Sequence, residues 1–123
     1  MFEIMQGFPD HILAVGGKGR ISAEDYRDTL VPEALRRIKH YGSLRFLCYL
    51  GPEFEGMAPG AIWADAKLGL THWGDFRRMA VVTDARWIVN AVRLFAPLFH
   101  HPVRVFPTDR LEDAKRWIVE TGA

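Results

Sequence analysis

The residues of this chain whose side chains could do acid–base or nucleophilic chemistry are few and scattered. Glu53 and Glu55 stand two apart in a stretch rich in Gly and Pro, His72 closes a predicted helix, Asp84 stands at the start of another, and His100 and His101 are adjacent. A general acid and base must reach one reacting atom together, and none of these spacings fixes a pair or a triad. Adjacent histidines diverge in most backbone geometries, and no second His or Cys stands at a metal-ligand spacing from them, so no metal site is expected. Cys48 falls inside an apolar run, where a thiol stays protonated and inert. Gly16-Gly17-Lys18-Gly19 has the composition of a phosphate loop, but Gly19 follows Lys18 and Arg20-Ile21 separates it from the next helix cap, so a turn is expected. No catalytic residue and no cofactor are assigned, and the protein is expected not to be an enzyme.

The elements that would position a site are easier to read. With 123 residues the chain is expected to form one domain with its own core. Its apolar fraction of 49% and charged fraction of 25% are those of an ordinary globular protein. A net charge of +1, with no Lys/Arg block interleaved with aromatics, gives no footprint for nucleic acid. A single cysteine excludes an internal disulfide. No signal peptide or membrane span is expected, and a cytoplasmic location follows as the default.

The chain is organised around Gly51 to Asp84. Pro59 suits a first helical turn and Gly74 a stop. Between them Trp63, Ala66, Leu70 and Trp73 recur at helical spacing and Ile62 widens the stripe, so this face is expected to cover something apolar. Glycines at both ends would let the helix move as a lid. Phe2–Met5 and Ile12–Val15 read as an antiparallel hairpin, and Ser22 with Asp25 as a capping box opening a long helix. Pro32 predicts a kink in that helix or two abutting ones, and Gly42 its stop. Arg36, Arg37 and Lys39 near its end form either a solvated face or one for an anionic partner. Leu44–Leu50 and Arg78–Thr83 are apolar at nearly every position, as strands buried on both faces are. A helix capped by Thr83 or Asp84 follows, from about Ala85 to Phe95. It is apolar around most of its circumference, and the surplus around Trp87, Leu94 and Leu98 must meet another subunit, a ligand, a neighbouring helix or a membrane. Val103–Phe106 is a last strand, and Asp109 with Glu112 caps a last helix with Leu111, Ala114, Trp117 and Ile118 on its buried face. Such alternation forces right-handed crossovers and a mostly parallel sheet with an antiparallel edge.

Three segments carry a resemblance over nearly the whole chain: residues 21–42, residues 44–88 and residues 103–118. With Phe54-Glu55-Gly56, Trp63-Ala64-Asp65-Ala66-Lys67 and Val81-Val82-Thr83-Asp84 leading to Trp87, they resemble the SpoIIAA-like family, of STAS/SEC14 type and related to CRAL-TRIO proteins. The resemblance implies an α/β fold: a single STAS-like domain with a four- or five-stranded, mostly parallel sheet, an antiparallel edge hairpin and about four flanking helices. STAS domains of anti-sigma factor antagonists carry a switch serine at the start of the helix after the third strand. Here Glu53 to Gly60 holds no Ser or Thr, so no serine phosphoswitch is implied. The likeness to SEC14-type carriers implies instead a small lipophilic ligand beneath the amphipathic helix. Phe54, Ile62, Trp63, Ala66, Leu70, Trp73 and Trp87 are the candidate ligand-binding residues, with peripheral membrane contact and a homodimer as expected partners. A regulatory protein-interaction module is the alternative.

Overall fold

The computed structural model describes residues 1–72, 74–99 and 101–120. Its main sheet holds five strands in the order β1 (Phe2–Ile4), β2 (Ile12–Gly17), β4 (Leu44–Leu50), β6 (Phe76–Thr83) and β7 (Val103–Phe106). β1 pairs antiparallel with β2, and the other pairings are parallel, as expected. A second, unexpected sheet pairs β3 (Gly19–Ile21) in parallel with β5 (Phe54–Met57).

The capping box forms: Ser22 Oγ accepts from the Asp25 amide, and the Asp25 carboxylate accepts from the Ser22 amide at 2.8 Å. It opens α1 (Ala23–Asp25), which runs through a π-helical turn (Tyr26–Leu30) into α2 (Val31–Tyr41). The break predicted at Pro32 is this turn. Proline has no amide hydrogen to give Asp28, and the ladder widens there so that the Val31 amide bonds Tyr26 instead. Gly42, at φ 79°, ends α2 in the left-handed region.

α2, α3 (Pro59–Thr71) and α4 (Arg86–Phe95) cover one face of the sheet, and α5 (Leu111–Val119) alone covers the other. Strand alternation sorts the core accordingly. Leu13, Val15, Leu44 and Phe46 meet Ala34, Ala61 and Leu68, whereas Ile12, Leu47, Ala80 and Val82 meet Ala114 and Ile118. The backbone carbonyls at the end of α5 are held by arginines from the sheet. Arg78 Nη1 donates to Trp117 at 2.6 Å, and Arg45 Nη1 to Ile118 at 2.9 Å.

Two expected caps do not form. α4 starts after Ala85 with no side-chain cap, because Asp84 is engaged elsewhere. α5 follows a 3₁₀ turn (Thr108–Arg110) that takes up the residues expected to cap it.

Leu47 is fully buried, so Leu47→Ala should cost about 3 kcal/mol, read as a lower urea midpoint at an unchanged slope. Asp10 bonds Arg36 and Tyr41, which hold its carboxyl at about 2 against an ordinary 3.8. A depressed carboxyl stabilises the fold above its unfolded pKa and loses that contribution as pH falls through the folded one. Asp10→Asn should therefore flatten the fall in melting temperature between pH 4 and pH 2; an unchanged curve would remove this group from the acid transition.

Candidate functional site

β4 and β6 end side by side at Leu50 and Thr83. Beyond them the chain leaves through Gly51-Pro52 on one side and Asp84-Ala85 on the other, flanking a half-open pocket of about 350 Å³. Leu50, Pro52 and Phe54 form its apolar wall; Thr83, Asp84, Ala85 and Thr108 form the other. A turn bond from the Phe54 amide to the Gly51 carbonyl (3.0 Å) brings Phe54 back over the strand end. Space at the carboxyl ends of parallel strands is where α/β sheets bind ligands.

The polar wall is fixed by one carboxylate. Asp84 accepts from the Thr108 amide at 3.0 Å and from the Thr108 hydroxyl, tying the exit of β6 to that of β7. Those two bonds, the hydroxyl's first, hold its carboxyl below the ordinary range. Thr83 Oγ1 accepts from the Ala85 amide at 3.1 Å.

The apolar wall continues inward. Leu50 packs with Val81 and Ile88, and Cys48, Phe54, Ala85 and Val92 join them half-buried. Cys48 lies on the middle strand of five, under the helical layer, yet keeps accessible surface. Its side chain packs against the apolar residues of both clusters on this face and is incompletely covered. Protein surrounds the thiol closely enough that burial, with Asp65 as a lesser cause, pushes it up to about 12.

α3 leans on α1 and the π turn rather than lying flat on the strands. Its buried residues are Ala61 and Leu68, with Ala64 half-buried. Gly60 passes so near Ala23 that an added Cβ would lie 3.1 Å from the alanine methyl. The face expected to be covered points outward instead: Trp63 is 72% and Leu70 73% exposed, and Ala66 is exposed with them. Small residues at 60, 61 and 64 allow a close approach that the bulky face cannot make. Tyr26, 4% exposed, donates from its hydroxyl to Asp65 Oδ1 at 2.9 Å. Asp65 is exposed as a residue, yet protein crowds its carboxyl closely enough to raise it above the ordinary range, while the Tyr26 bond works the other way.

The predicted residues thus fall in three places. Phe54 lines the cavity, Ile62, Trp63, Ala66 and Leu70 lie on the outer side of α3, and Trp87 is half-exposed on α4. Trp73 and His100 lie outside the described residues. Leu94, Phe95 and Leu98 add to the exposed apolar surface after Trp87. Asp84, Thr108 and Cys48 were not among the candidates. The position of Asp84 and Thr108 just beyond two strand ends is the signal that could have found them. Glu53 is paired with Lys18 at 3.3 Å, and His72 with Asp75 at 3.0 Å. Among the described residues no group of three His, Cys, Asp or Glu could hold a metal ion, and no helix is long and apolar enough to cross a membrane.

A family model described as SpoIIAA-like matches residues 12–119. A crystal structure of an uncharacterized protein from the DUF3478 family, with a SpoIIAA-like fold and from Shewanella loihica PV-4, is similar in fold. Its TM-score is 0.74 at 24% identity, over 96% of this chain and 92% of that one. No curated protein matches.

A thiol held near 12 offers little thiolate at pH 8. Native Cys48 should react with a disulfide reagent on the order of 10³-fold more slowly than a free cysteine. Stopped-flow labelling checks this, and a rate near that of the free amino acid would show the thiol to be freely solvated.

Proposed function

We infer that this chain, which belongs to the SpoIIAA-like family, is a non-enzymatic binding module that takes a small lipophilic ligand into the pocket at the ends of β4 and β6 and along the apolar side chains beneath α4, in a cleft that opens when α3 lifts. The pocket at the carboxyl ends of two parallel strands, with Leu50, Pro52 and Phe54 as its apolar wall, carries this reading.

α3 serves as the movable side of the cleft. Few groups hold it down: Leu68 and Ala61 by burial, Asp65 by one hydrogen bond. Lifting it would cost about 4 kcal/mol, leaving it raised in roughly one molecule in a thousand, enough for ligand exchange. Gly56, at φ 118°, supplies the bend at its entry. The outward Trp63, Leu70, Trp87 and Leu94 suit contact with a membrane from which a lipophile is drawn. Lys67, Arg86 and Arg93 lie among them, exposed and without an acidic partner among the described residues, which favours an anionic surface.

The same outward face supports a second reading, a regulatory interaction module that buries it against a second copy of the chain. Ile62, Trp63, Leu70, Leu94 and Leu98 are large apolar side chains left exposed, and a second copy would bury them.

Native mass spectrometry of the purified protein, followed by organic extraction, tests the first reading. A stoichiometric lipophile is expected, reduced at least about 10-fold in occupancy by Phe54→Ala, which truncates the cavity wall. Trp63→Ala should keep the ligand and weaken sedimentation with anionic vesicles. An empty protein that takes up nothing from a lipid extract, and forms a dimer that Leu94→Glu dissociates, would replace this reading by the second.

A further inference from the structure

The two walls of the cavity differ in chemistry, and from that difference we propose that the ligand is an amphiphile whose head group donates hydrogen bonds and bears no negative charge, its hydroxyls meeting the Asp84 carboxylate. This rests on the lipophile-binding reading above and narrows it to a class of molecule.

The polar wall carries one carboxylate and little to neutralise it. The Thr108 hydroxyl is already given to Asp84, and the Thr83 hydroxyl, whose oxygen accepts from the Ala85 amide, is the side-chain donor that remains. A carboxylate has about four acceptor positions, and Thr108 takes two at Asp84. The open positions can be filled only by a donor. Among the described residues no Lys, Arg or His lines the cavity, and the guanidinium of Arg86 is not part of its wall. An anionic head would therefore meet Asp84 with no cation beside it.

The start of α4 does not reverse this. A helix N-terminus attracts anions, but Asp84 stands immediately before its N-cap residue Ala85 and supplies that negative charge already. The apolar wall gives the other half of the ligand. Leu50, Phe54 and Ala85 belong both to the cavity and to the cluster that includes Cys48, Val81 and Val92. A chain leaving the head lies against these apolar side chains rather than against a polar group. A volume of about 350 Å³ admits a glycerol-sized head and its first methylenes.

Calorimetric titration of the whole protein with monolauroylglycerol, laurate and free glycerol, each below its aggregation concentration, tests this. Monolauroylglycerol should bind at least about 10-fold more tightly than laurate, and free glycerol not measurably. Asp84→Asn, folded by its circular dichroism melt, should bring the two amphiphiles within about 3-fold of each other, mainly through better laurate binding. Should the variant not fold, the wild-type ratio decides alone. Laurate binding as tightly as its glycerol ester would overturn the head-group assignment and leave the lipophile-binding reading standing. Free glycerol binding as tightly as the ester would overturn the requirement for a chain. Failure of both amphiphiles would overturn that reading and this inference together.

Discussion

Helices are about twice as wide as the spacing between strands, and much of this structure follows from that mismatch. Neighbouring strands lie about 4.8 Å apart, whereas packed helices need 8–10 Å between axes. Here β2, β4, β6 and β7 follow one another across the sheet, each connection stepping to the adjacent strand, and α2, α3 and α4 lie on one face. Three helices cannot lie side by side above three successive strand gaps. The middle one is displaced toward α1, where glycine and alanine let it approach closely. The outward tryptophan face of α3 is one result of this displacement. Crowding, rather than any feature of one helix, sets where α3 lies.

Polar contacts then fix what crowding leaves loose. Asp84 and Thr108 join the exits of two strands whose following helices lie on opposite faces, so the cavity edge is pinned where the chain paths diverge. Tyr26 and Asp65 make one polar tie between α3 and the π turn. A π turn lets a helix redirect a side chain that regular geometry would aim elsewhere, and it brings the Tyr26 hydroxyl to α3. In both places a single carboxylate sets a distance that apolar packing alone would leave adjustable.

Local chemistry made much of the fold legible. Ser22 and Asp25, Gly42, and the apolar runs of β4 and β6 each act through neighbours in the chain or through burial on both faces, and each stands where expected except that β6 begins two residues earlier, at Phe76. The orientation of α3 was not legible, since its sequence offers two apolar faces, one of small residues and one of large. The choice between them is made by α1, nearly forty residues earlier. Asp84 shows the same limit: read alone it is a helix cap, and only the arrival of Thr108 from the next strand engages it differently. Of the candidate site, Phe54 was legible through the family resemblance and reaches the cavity. Asp84 and Thr108 were not, because the pocket they line is made where three separate segments of the chain meet.

The division of labour between the two faces of the sheet also orders the birth of the molecule. A ribosome delivers the chain from its N-terminus, so all three helices of the crowded face exist before residues 111–119 are made. Until then Leu47, Ala80 and Val82 form a bare apolar strip across the middle strands. Arg45 and Arg78 wait beside it for the carbonyls of a helix not yet made. The nascent domain is thus sealed by its last-made helix, and a chain stalled before Leu111 presents the kind of surface that chaperones and proteases recognise.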